Sequence, residues 1–313
     1  MYINSDFWKK KRVFITGGTG FLGSWLCLVL LRLGADVATF SRGKVCDHSN
    51  FSVCGLENKV VCFAGDIRKS ETLTQSISIF RPNIIIHLAA KSIISDAQDN
   101  PIDTFNINVG GLMNILDCAY ESEIGKIMVI TSTKWNGENV NNLSAYSASK
   151  ACEEILINTL KQSRVSETMK VFTLRIPNII GGGDDGEGRL IPYCIKKMNE
   201  NEIINVKNPK GEIKCVYVLK VVYLILEILE KKREFSVHLV DETDCLKSCV
   251  YSLVELTKEI YSYVQNGDGE YIIETSQKGI LDAIMWEKAY RNSEDMFCFC
   301  NRVIDEYFDR KLK

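Results

Sequence analysis

A tyrosine, a lysine and a serine are the residues of this sequence best suited to acid–base chemistry. Tyr146 and Lys150 are four positions apart in Tyr146-Ser-Ala-Ser-Lys150, so a helix would place them on one face. A neighbouring ammonium favours the phenolate form of a tyrosine, as a general acid–base working near neutral pH requires. Ser132 follows the apolar run 127–130 and is expected at the carboxyl end of a strand, where its hydroxyl could share the same proton. The Tyr–Lys spacing alone would also suit an ordinary amphipathic helix.

Three glycines near the N-terminus predict a turn that binds a nucleotide. Gly17, Gly20 and Gly23 follow the β-branched and aromatic run 13–16, and apolar residues recur at helical spacing from Phe21 onward. In a strand–turn–helix unit of this kind, one glycine permits the tight turn, one lets the backbone approach a pyrophosphate, and one lets the helix pack close to the strand. The N-terminus of the helix then offers free N–H groups to the phosphates. In this context the catalytic interpretation of Tyr146, Lys150 and Ser132 is favoured over the structural one.

The elements that must position these residues alternate between strand and helix. After the first unit, strands are predicted near residues 37–40, 59–63, 84–90, 126–131 and 170–175, and the helices between them near 70–81, 101–122 and 145–160. The near-continuous apolar run 84–90 is typical of a strand covered on both faces. This alternation predicts an α/β fold with a doubly wound parallel sheet, the Rossmann arrangement, and a smaller C-terminal substrate lobe.

The pattern changes at Pro177, where the glycine-rich segment 181–188 has no sheet periodicity. We therefore expect a dinucleotide-binding domain over 1–178 with a returning segment near 213–240, and a substrate-binding lobe over 179–212 and 241–313.

Composition excludes several classes of function. The formal net charge of −2 gives no electrostatic reason to expect nucleic acid or an anionic membrane as partner. The 12 cysteines are scattered without a CxxC pair, and with 3 histidines there is little from which to build a metal site. Asp6 and four consecutive basic residues precede the first strand, which does not resemble a signal peptide, and no apolar run is long enough to span a membrane. We expect a cytoplasmic protein with reduced thiols and no metal.

These motifs carry a resemblance that extends over most of the chain. The sequence resembles the extended short-chain dehydrogenase/reductase enzymes that modify nucleotide sugars. The motifs that carry it are Gly17-Gly-Thr-Gly-Phe-Leu-Gly23, Asp66-Ile67, His87-Leu-Ala-Ala90, Asn108, Thr131-Ser132, Tyr146-x-x-x-Lys150 and Arg175-Ile-Pro-Asn178. Within that family the sequence is most similar to the CDP-glucose 4,6-dehydratases. That similarity lies in Asp6-Phe-Trp8, Pro177-Asn-Ile-Ile-Gly-Gly-Gly-Asp184, Gly188-Arg-Leu-Ile-Pro192 and Asn208-Pro209.

The resemblance implies a role for each matching position. Tyr146 would take the sugar hydroxyl proton, Ser132 would share it, and Lys150 would hold the nicotinamide ribose. The implied cofactor-binding residues are Gly17, Thr19, Gly20, Phe21, Leu22, Gly23, Ser41, Arg42, Asp66, Ile67, Leu88, Ala89, Ala90, Lys91, Asn108, Thr131, Tyr146, Lys150 and Pro177. The implied substrate-binding residues are Ser132, Thr133, Lys134, Asn178, Arg189, Leu190 and Lys214.

Three of these positions have a plainer alternative. Asp66 could instead cap the following helix, and Arg189 could be a solvated turn residue. His87 is interpreted as a packed strand residue rather than a catalyst.

Two departures from the family affect the reaction. In the dehydratases an aspartic acid follows the residue corresponding to Ser132 and expels water from C5–C6, whereas Thr133 stands here. Lys134 is the nearest replacement, but it would need a pKa lowered by burial. The arginine that these enzymes place before the strand near Val216 is Ile213 here, and Lys214 is a shifted substitute that lacks a bidentate fork.

A third departure concerns the cofactor. The second strand ends in Ser41-Arg42 rather than in an acid that could hydrogen-bond the ribose 2′-hydroxyl of NAD. Since arginine suits a 2′-phosphate, NADP(H) is favoured and NAD(H) is possible.

Three functions remain open on these grounds. The first is an NAD(P)-dependent oxidoreductase acting at C4 of a nucleotide sugar, as a reductase, dehydrogenase or epimerase. The second is a 4,6-dehydratase with an altered acid. The third is a nucleotide-binding regulator without catalysis, against which the Tyr–Lys pair argues. The resemblance also implies a homodimer, paired through the helices near 101–122 and 145–160. Their apolar residues are Phe105, Leu112, Ile115, Leu116, Ile155, Leu156 and Leu160.

Overall fold

The fold is described from a computed structural model that covers residues 3–43, 45–135, 143–163, 165–186, 188–231, 236–241, 244–266 and 275–308. The strands are β1 (Arg12–Thr16), β2 (Asp36–Ser41), β3 (Val61–Ala64), β4 (Ile84–His87), β5 (Lys126–Ser132), β6 (Lys170–Ile176), β7 (Asn178–Ile180), β8 (Glu212–Tyr217), β9 (Ser236–Leu239) and β10 (Cys245–Cys249).

The helices surround these strands and follow the predicted order. They are α1 (Ser5–Trp8), α2 (Phe21–Arg32), α3 (Asn50–Val53), α4 (Ser70–Phe80), α5 (Ile94–Asp99), α6 (Pro101–Phe105), α7 (Gly111–Glu121), α8 (Ala145–Lys161), α9 (Val165–Thr168), α10 (Leu190–Asn199), α11 (Val218–Lys231), α12 (Val250–Asn266), α13 (Lys278–Arg291) and α14 (Met296–Phe308). A π-helical turn, Asn106–Gly110, joins α6 to α7 and makes one long helix of the predicted segment.

Seven strands form one parallel sheet in the order β3-β2-β1-β4-β5-β6-β9. The order reverses at β1, which pairs with β2 on one side and β4 on the other. In such open sheets, ligands bind outside the carboxyl ends of the strands at the switch point. The predicted α/β class and doubly wound sheet are confirmed.

A second sheet of three strands, in the order β10-β8-β7, belongs to the smaller part of the molecule. β7 and β8 are parallel, and β8 and β10 are antiparallel. An apolar cluster lies behind it, formed by α10, α12 and α13 through residues such as Ile195, Leu253 and Ile280. The returning segment consists of α11 and β9, because β8 pairs within the small sheet. The division of the chain into two functional lobes stays a prediction.

Two differences from the predicted elements lie beside the cleft. The strand predicted over 84–90 ends at His87, and Leu88, Ala89 and Ala90 leave the sheet beneath the glycine turn. The backbone of Leu88 still donates to the Thr16 carbonyl over 3.0 Å, and that of Ala89 donates to the Thr16 hydroxyl over 3.2 Å. The second difference is β7, which pairs directly after Pro177 where the sequence predicted the end of regular structure.

Helices α7 and α8 divide their apolar residues between the core and the surface. Leu112, Ile115 and Leu116 are buried against the large sheet, so packing within one chain accounts for them. Ile155 is 60% exposed, and Met113 and Ile102 on the neighbouring helical segments are 54% and 77% exposed. The surface available to a partner is therefore narrower than the sequence pattern suggested.

Candidate active site

The glycine turn forms a cradle in which close backbone contacts leave no room for a side chain at Gly17 or Gly23. Gly17 has a φ of 68°, and a Cβ added to it would lie 2.8 Å from the backbone nitrogen of Ala89. A Cβ on Gly23 would lie 2.6 Å from the Gly17 carbonyl oxygen. Gly20 precedes α2 without any side-chain cap, so the first N–H groups of that helix stay available. This close backbone packing fits a bound pyrophosphate.

The cradle opens into a cleft of about 990 Å³ that runs between the large sheet and the small one. The predicted cofactor residues on it are Gly17, Thr19, Gly20, Phe21, Leu22, Gly23, Ser41, Arg42, Asp66, Ile67, Leu88, Ala89, Ala90, Lys91, Thr131, Tyr146, Lys150 and Pro177. The predicted substrate residues on it are Ser132, Thr133, Lys134, Asn178, Arg189, Leu190 and Lys214. The fold therefore brings together residues that are up to 197 positions apart, from Gly17 to Lys214.

Asn108 is the one predicted site residue that does not line the cleft. It is fully buried in the π-helical turn, where its side-chain oxygen accepts from the Lys91 backbone nitrogen over 2.8 Å. Its amide nitrogen donates to the Ser149 hydroxyl over 2.8 Å and to the Lys91 carbonyl over 3.3 Å. Asn108 thus joins the segment after β4 to helix α8.

Tyr146 and Lys150 lie on the first two turns of α8. The N-cap of this helix is Ser144, whose hydroxyl accepts a hydrogen bond from the Ser147 backbone N–H. Tyr146 is half-buried and faces the cleft, whereas Lys150 is 5% exposed. The Lys150 ammonium donates to the Ile130 carbonyl over 3.0 Å and to both carboxylate oxygens of Glu153 over 3.0 Å. Burial lowers the pKa of Lys150, but the Glu153 charge raises it and the balance is upward.

Sequence reasoning did not find Glu153, although its spacing offered a signal. Glu153 follows Lys150 by three positions and precedes the buried Ile157 by four, so all three share one helix face. A glutamate on the apolar face of a helix is expected to be paired. Its neighbour Glu154 is also buried, and it accepts from the Thr131 hydroxyl over 2.7 Å and from the Arg175 guanidinium, which ties α8 to β5 and β6.

His87 lies behind this group, and the cleft does not reach it. It is 2% exposed, and its Nδ1 and the Thr16 hydroxyl are 2.8 Å apart. Burial, with a contribution from the Lys150 charge, lowers the pKa of His87 to about 3, so the ring is neutral at physiological pH. The structure thus places it as a packed strand residue.

On the substrate side, Arg189 lies at the start of α10 and bonds to a buried carboxylate. Its guanidinium donates to Asp184 over 2.6 Å and lies over the Phe21 ring, 5.9 Å from the centroid. Burial raises the pKa of Asp184 to about 6, although the Arg189 charge opposes that rise. The side chain of Asn178 donates to the Lys214 carbonyl over 3.1 Å, which joins β7 to β8.

Lys134 follows β5 and extends into the cleft. Burial lowers its pKa below the ordinary value for lysine. Thr133 beside it donates its backbone N–H to the Ile176 carbonyl over 3.0 Å. A partly buried amine therefore stands next to the position where the family's dehydratases carry an acid.

Asp66 lies at the other end of the cleft, where it is held by a nearby arginine. The Arg68 side chain donates to both carboxylate oxygens of Asp66, and the Arg68 backbone nitrogen donates over 3.0 Å. The Arg68 hydrogen bonds lower the pKa of Asp66 to about 2. Asp66 does not cap α4, whose N-cap residue is Lys69. Arg42 is exposed at the end of β2, and its charge also acts on Asp66.

Comparison with known proteins shows the family of this chain. The family model for the NAD-dependent epimerase/dehydratase family matches residues 13–239, which is more than half of the chain. The chain belongs to the NAD-dependent epimerase/dehydratase family. The predicted family is therefore confirmed.

Among those relatives is a CDP-glucose 4,6-dehydratase from Salmonella typhimurium, 32% identical over 66% of this chain and 63% of that protein. The chain spans less than two thirds of the length of the curated relatives it matches.

Solved structures of two epimerases share the fold of this chain. A UDP-glucose 4-epimerase from Thermotoga maritima, solved with UDP-glucose, superimposes with a TM-score of 0.69 at 22% identity, covering 90% of this chain and 91% of that one. The UDP-glucose 4-epimerase from Bifidobacterium longum, solved with NAD+ and UDP, superimposes with a TM-score of 0.75 at 16% identity, covering 90% of this chain and 99% of that one. Within the described residues, no helix is long and apolar enough to cross a membrane.

Proposed function

We propose that this protein is an NAD(P)-dependent oxidoreductase that acts at C4 of a nucleotide-activated sugar. The observation that carries the proposal is the convergence of Ser132, Tyr146 and Lys150 on the cleft that also contains the glycine cradle. Relatives whose names include CDP-glucose 4,6-dehydratase and UDP-glucose 4-epimerase support a nucleotide sugar as substrate. A pure nucleotide binder would need the cradle but not the Tyr–Lys pair.

The chain's own residues supply the proton chemistry. Tyr146 takes the proton of the sugar C4 hydroxyl, and Ser132 hydrogen-bonds the same oxygen as its charge changes. Lys150 stabilises the phenolate and holds the nicotinamide ribose, one helical turn from Tyr146. When bound, the nicotinamide cofactor supplies reversible two-electron redox chemistry at the sugar carbon. In the reverse direction Tyr146 returns the proton to the oxygen.

Substrate binding is assigned to the part of the cleft between β5 and the small sheet. Arg189 provides a guanidinium that suits a diphosphate, and Asn178 and Lys214, on the adjacent strands β7 and β8, line the same cleft. NADP(H) is proposed over NAD(H), because Ser41 and Arg42 offer a hydroxyl and a guanidinium to a 2′-phosphate. The solved relatives that hold NAD+ keep NAD(H) as the alternative.

One observation favours 4,6-dehydration as a second candidate. Expulsion of the C6 hydroxyl requires a positioned acid whose pKa lies near the working pH. Thr133 is too weak an acid for that step. Burial lowers the pKa of Lys134 toward the useful range, and Lys134 extends into the cleft. The 32% identity to a CDP-glucose 4,6-dehydratase supports the same candidate.

Incubation with CDP-, GDP-, UDP- and dTDP-hexoses in deuterated water separates the two reactions. Oxidoreduction or epimerisation at C4 is expected to give products that keep the C6 hydroxyl. A 4-keto-6-deoxy product with deuterium at C5 would instead identify a dehydratase. In that case Lys134→Met, which keeps the side-chain length without an acid, should stop water loss and leave C4 oxidation. If no sugar is converted with either cofactor, the protein binds nucleotides without catalysis.

A further inference from the structure

A buried carboxylate faces the ammonium of the Tyr–Lys pair from the same helix. Glu153 is fully buried, and each of its two oxygens lies 3.0 Å from the Lys150 nitrogen. Lys150 is 5% exposed, and the remaining hydrogen bond of its ammonium goes to the Ile130 carbonyl on β5. All of its described hydrogen bonds therefore stay inside the protein, and two of the three go to one carboxylate.

The other charged and titratable groups around this pair are already neutral or paired. His87 on β4 is neutral, since burial lowers its pKa to about 3. Glu154 on α8 is paired with Arg175 on β6, and its charge reaches Lys150 only through space. Tyr146 lies one turn back on α8. Among the described residues, Glu153 is thus the carboxylate in direct contact with the Lys150 ammonium.

Desolvation makes this contact matter for the chemistry. A buried ammonium without a partner loses its proton readily, and buried lysines can have a pKa near neutrality. Neutral Lys150 would no longer stabilise a phenolate at Tyr146, and it would bind ribose hydroxyls more weakly. An acidic side chain in contact with Nζ keeps the lysine protonated, although a second charge is then buried as well.

We propose that Glu153 is a positioning residue that keeps Lys150 protonated and directed toward the cofactor ribose and Tyr146. This inference rests on the proposed function, because it assumes that Lys150 holds a cofactor. An ammonium has three hydrogens, so Lys150 can keep one bond to Ile130, keep one to Glu153 and turn the third toward a ribose hydroxyl. Glu153 itself lies behind Lys150 and does not line the cleft.

The test is the pH dependence of NADH and NADPH binding, measured by fluorescence titration between about pH 6 and pH 9.5. Burial raises the pKa of Glu153 to about 7, so the decisive comparison lies above that pH, where the carboxylate is ionised. There the unmodified protein is expected to bind with nearly constant affinity, because its lysine stays charged. Glu153→Gln, which keeps the size and one acceptor, should lose affinity as pH rises, by on the order of tenfold for the weakened charge-assisted bond. The double variant Glu153→Gln/Lys150→Met has no titrating group there and should show no such loss.

A folded Glu153→Gln variant with the same pH profile as the unmodified protein would overturn the inference. Should that variant fail to fold, Glu153→Asp replaces it. The shorter carboxylate of Glu153→Asp is expected to weaken the contact with Lys150, so cofactor affinity should fall at a lower pH than in the unmodified protein. An unchanged pH profile again counts against the inference.

Unfolding of the free protein gives a readout that needs no cofactor. In Glu153→Gln, Lys150 would release a proton on folding, so the unfolded state binds more protons and stability should rise with pH up to about 10.4. The double variant Glu153→Gln/Lys150→Met should lack this rise of stability with pH. If Glu153→Gln shows no more rise than the double variant, the inference is contradicted. Failure of the unmodified protein to bind either cofactor would instead reject the proposed function.

Discussion

Each of two cations in the cleft is held by a buried carboxylate before any ligand arrives. Lys150 contacts Glu153 on α8, and Arg189 contacts Asp184 on the segment before α10. Neither acid was expected from the sequence as part of the site, whereas both cations were. A carboxylate that holds a cation in one rotamer lowers the entropy lost when a phosphate or ribose binds. Lys150 and Arg189 are therefore already oriented by their carboxylates.

Tyr146→Phe tests the residue assigned to proton transfer. We expect affinity for the cofactor to stay nearly intact, since the lost hydroxyl is not assigned to cofactor phosphates. Turnover should fall by at least about 100-fold, the scale typical of losing a general acid–base. Steady-state kinetics on the nucleotide sugar identified in the deuterium experiment provide the measurement. Near-normal turnover would remove Tyr146 from the mechanism.

Arg42→Ala tests the choice of cofactor. A charge-assisted bond to a phosphate contributes about 1.5–3 kcal/mol, so NADPH binding should weaken by roughly 10- to 150-fold. NADH, which lacks the 2′-phosphate, should change little. Calorimetric titration of both cofactors gives the comparison, with Lys69→Ala as a control that removes a nearby cation outside the cleft lining. Equal losses for the two cofactors, or tighter NADH binding by the unmodified protein, would defeat the NADP(H) assignment.

At the scale of elements, the contact between β1 and α2 depends on glycine backbone approach. Gly23→Ala would place a Cβ 2.6 Å from Gly17 and Gly18 backbone atoms, which cannot move as a flexible side chain can. Strain of this kind typically costs about 1–3 kcal/mol and would displace the cradle. We expect a lower melting temperature and cofactor affinity reduced by at least about tenfold, since about 1.4 kcal/mol equals one decade.

Gly125→Ala is the matched control for that substitution. Gly125 is exposed, and a Cβ there meets nothing within 4 Å. It should therefore leave both melting temperature and cofactor affinity unchanged. Equal behaviour of the two variants would show that close approach at Gly23 does not shape the site.

The elements that sequence predicted well are those whose periodicity is long. The helices α2, α4 and α8 repeat their apolar positions over several turns, and β1, β4 and β5 each contain at least three consecutive apolar residues. β7 has only three residues and β10 reads Cys-Leu-Lys-Ser-Cys, so neither displays enough alternation to be recognised. Both exist because β8 lies between them, which is a tertiary cause.

The residues of the candidate site also divide into those that the sequence could predict and those that it could not. Gly17, Tyr146 and Arg189 could be predicted because motif spacing specifies them. Glu153 and Asp184 were not assigned to the site, because their contacts with Lys150 and Arg189 are local and gain importance only from burial, which the packing of the whole fold decides. Asn108 was predicted for the site, yet its side chain forms hydrogen bonds with the Lys91 backbone and the Ser149 hydroxyl behind the cleft.

At the scale of the whole molecule, the prediction is a homodimer formed through α6, α7 and α8. Ile102, Met113 and Ile155 are exposed apolar residues on these helices, and burying them against a second copy would remove them from water. Ile155→Glu should therefore weaken the dimer. Ile203→Glu is the control, because Ile203 is 79% exposed but lies outside these helices. Light scattering at micromolar concentration measures the mass. A monomeric unmodified protein would overturn the prediction.

The path of the chain between the two sheets limits how such a molecule can be recombined. The chain leaves the large sheet after β6, builds β7 and β8, returns through α11 and β9, and leaves again for β10. It comes back once more with α14, which packs through Phe299, Cys300 and Phe308 into the apolar cluster that contains α2. Replacing the small lobe with that of a relative would thus require two separate inserts whose four junctions all match. A single crossover would separate β9 or α14 from the structure that it completes, so the small sheet and its helices cannot be exchanged as one continuous segment.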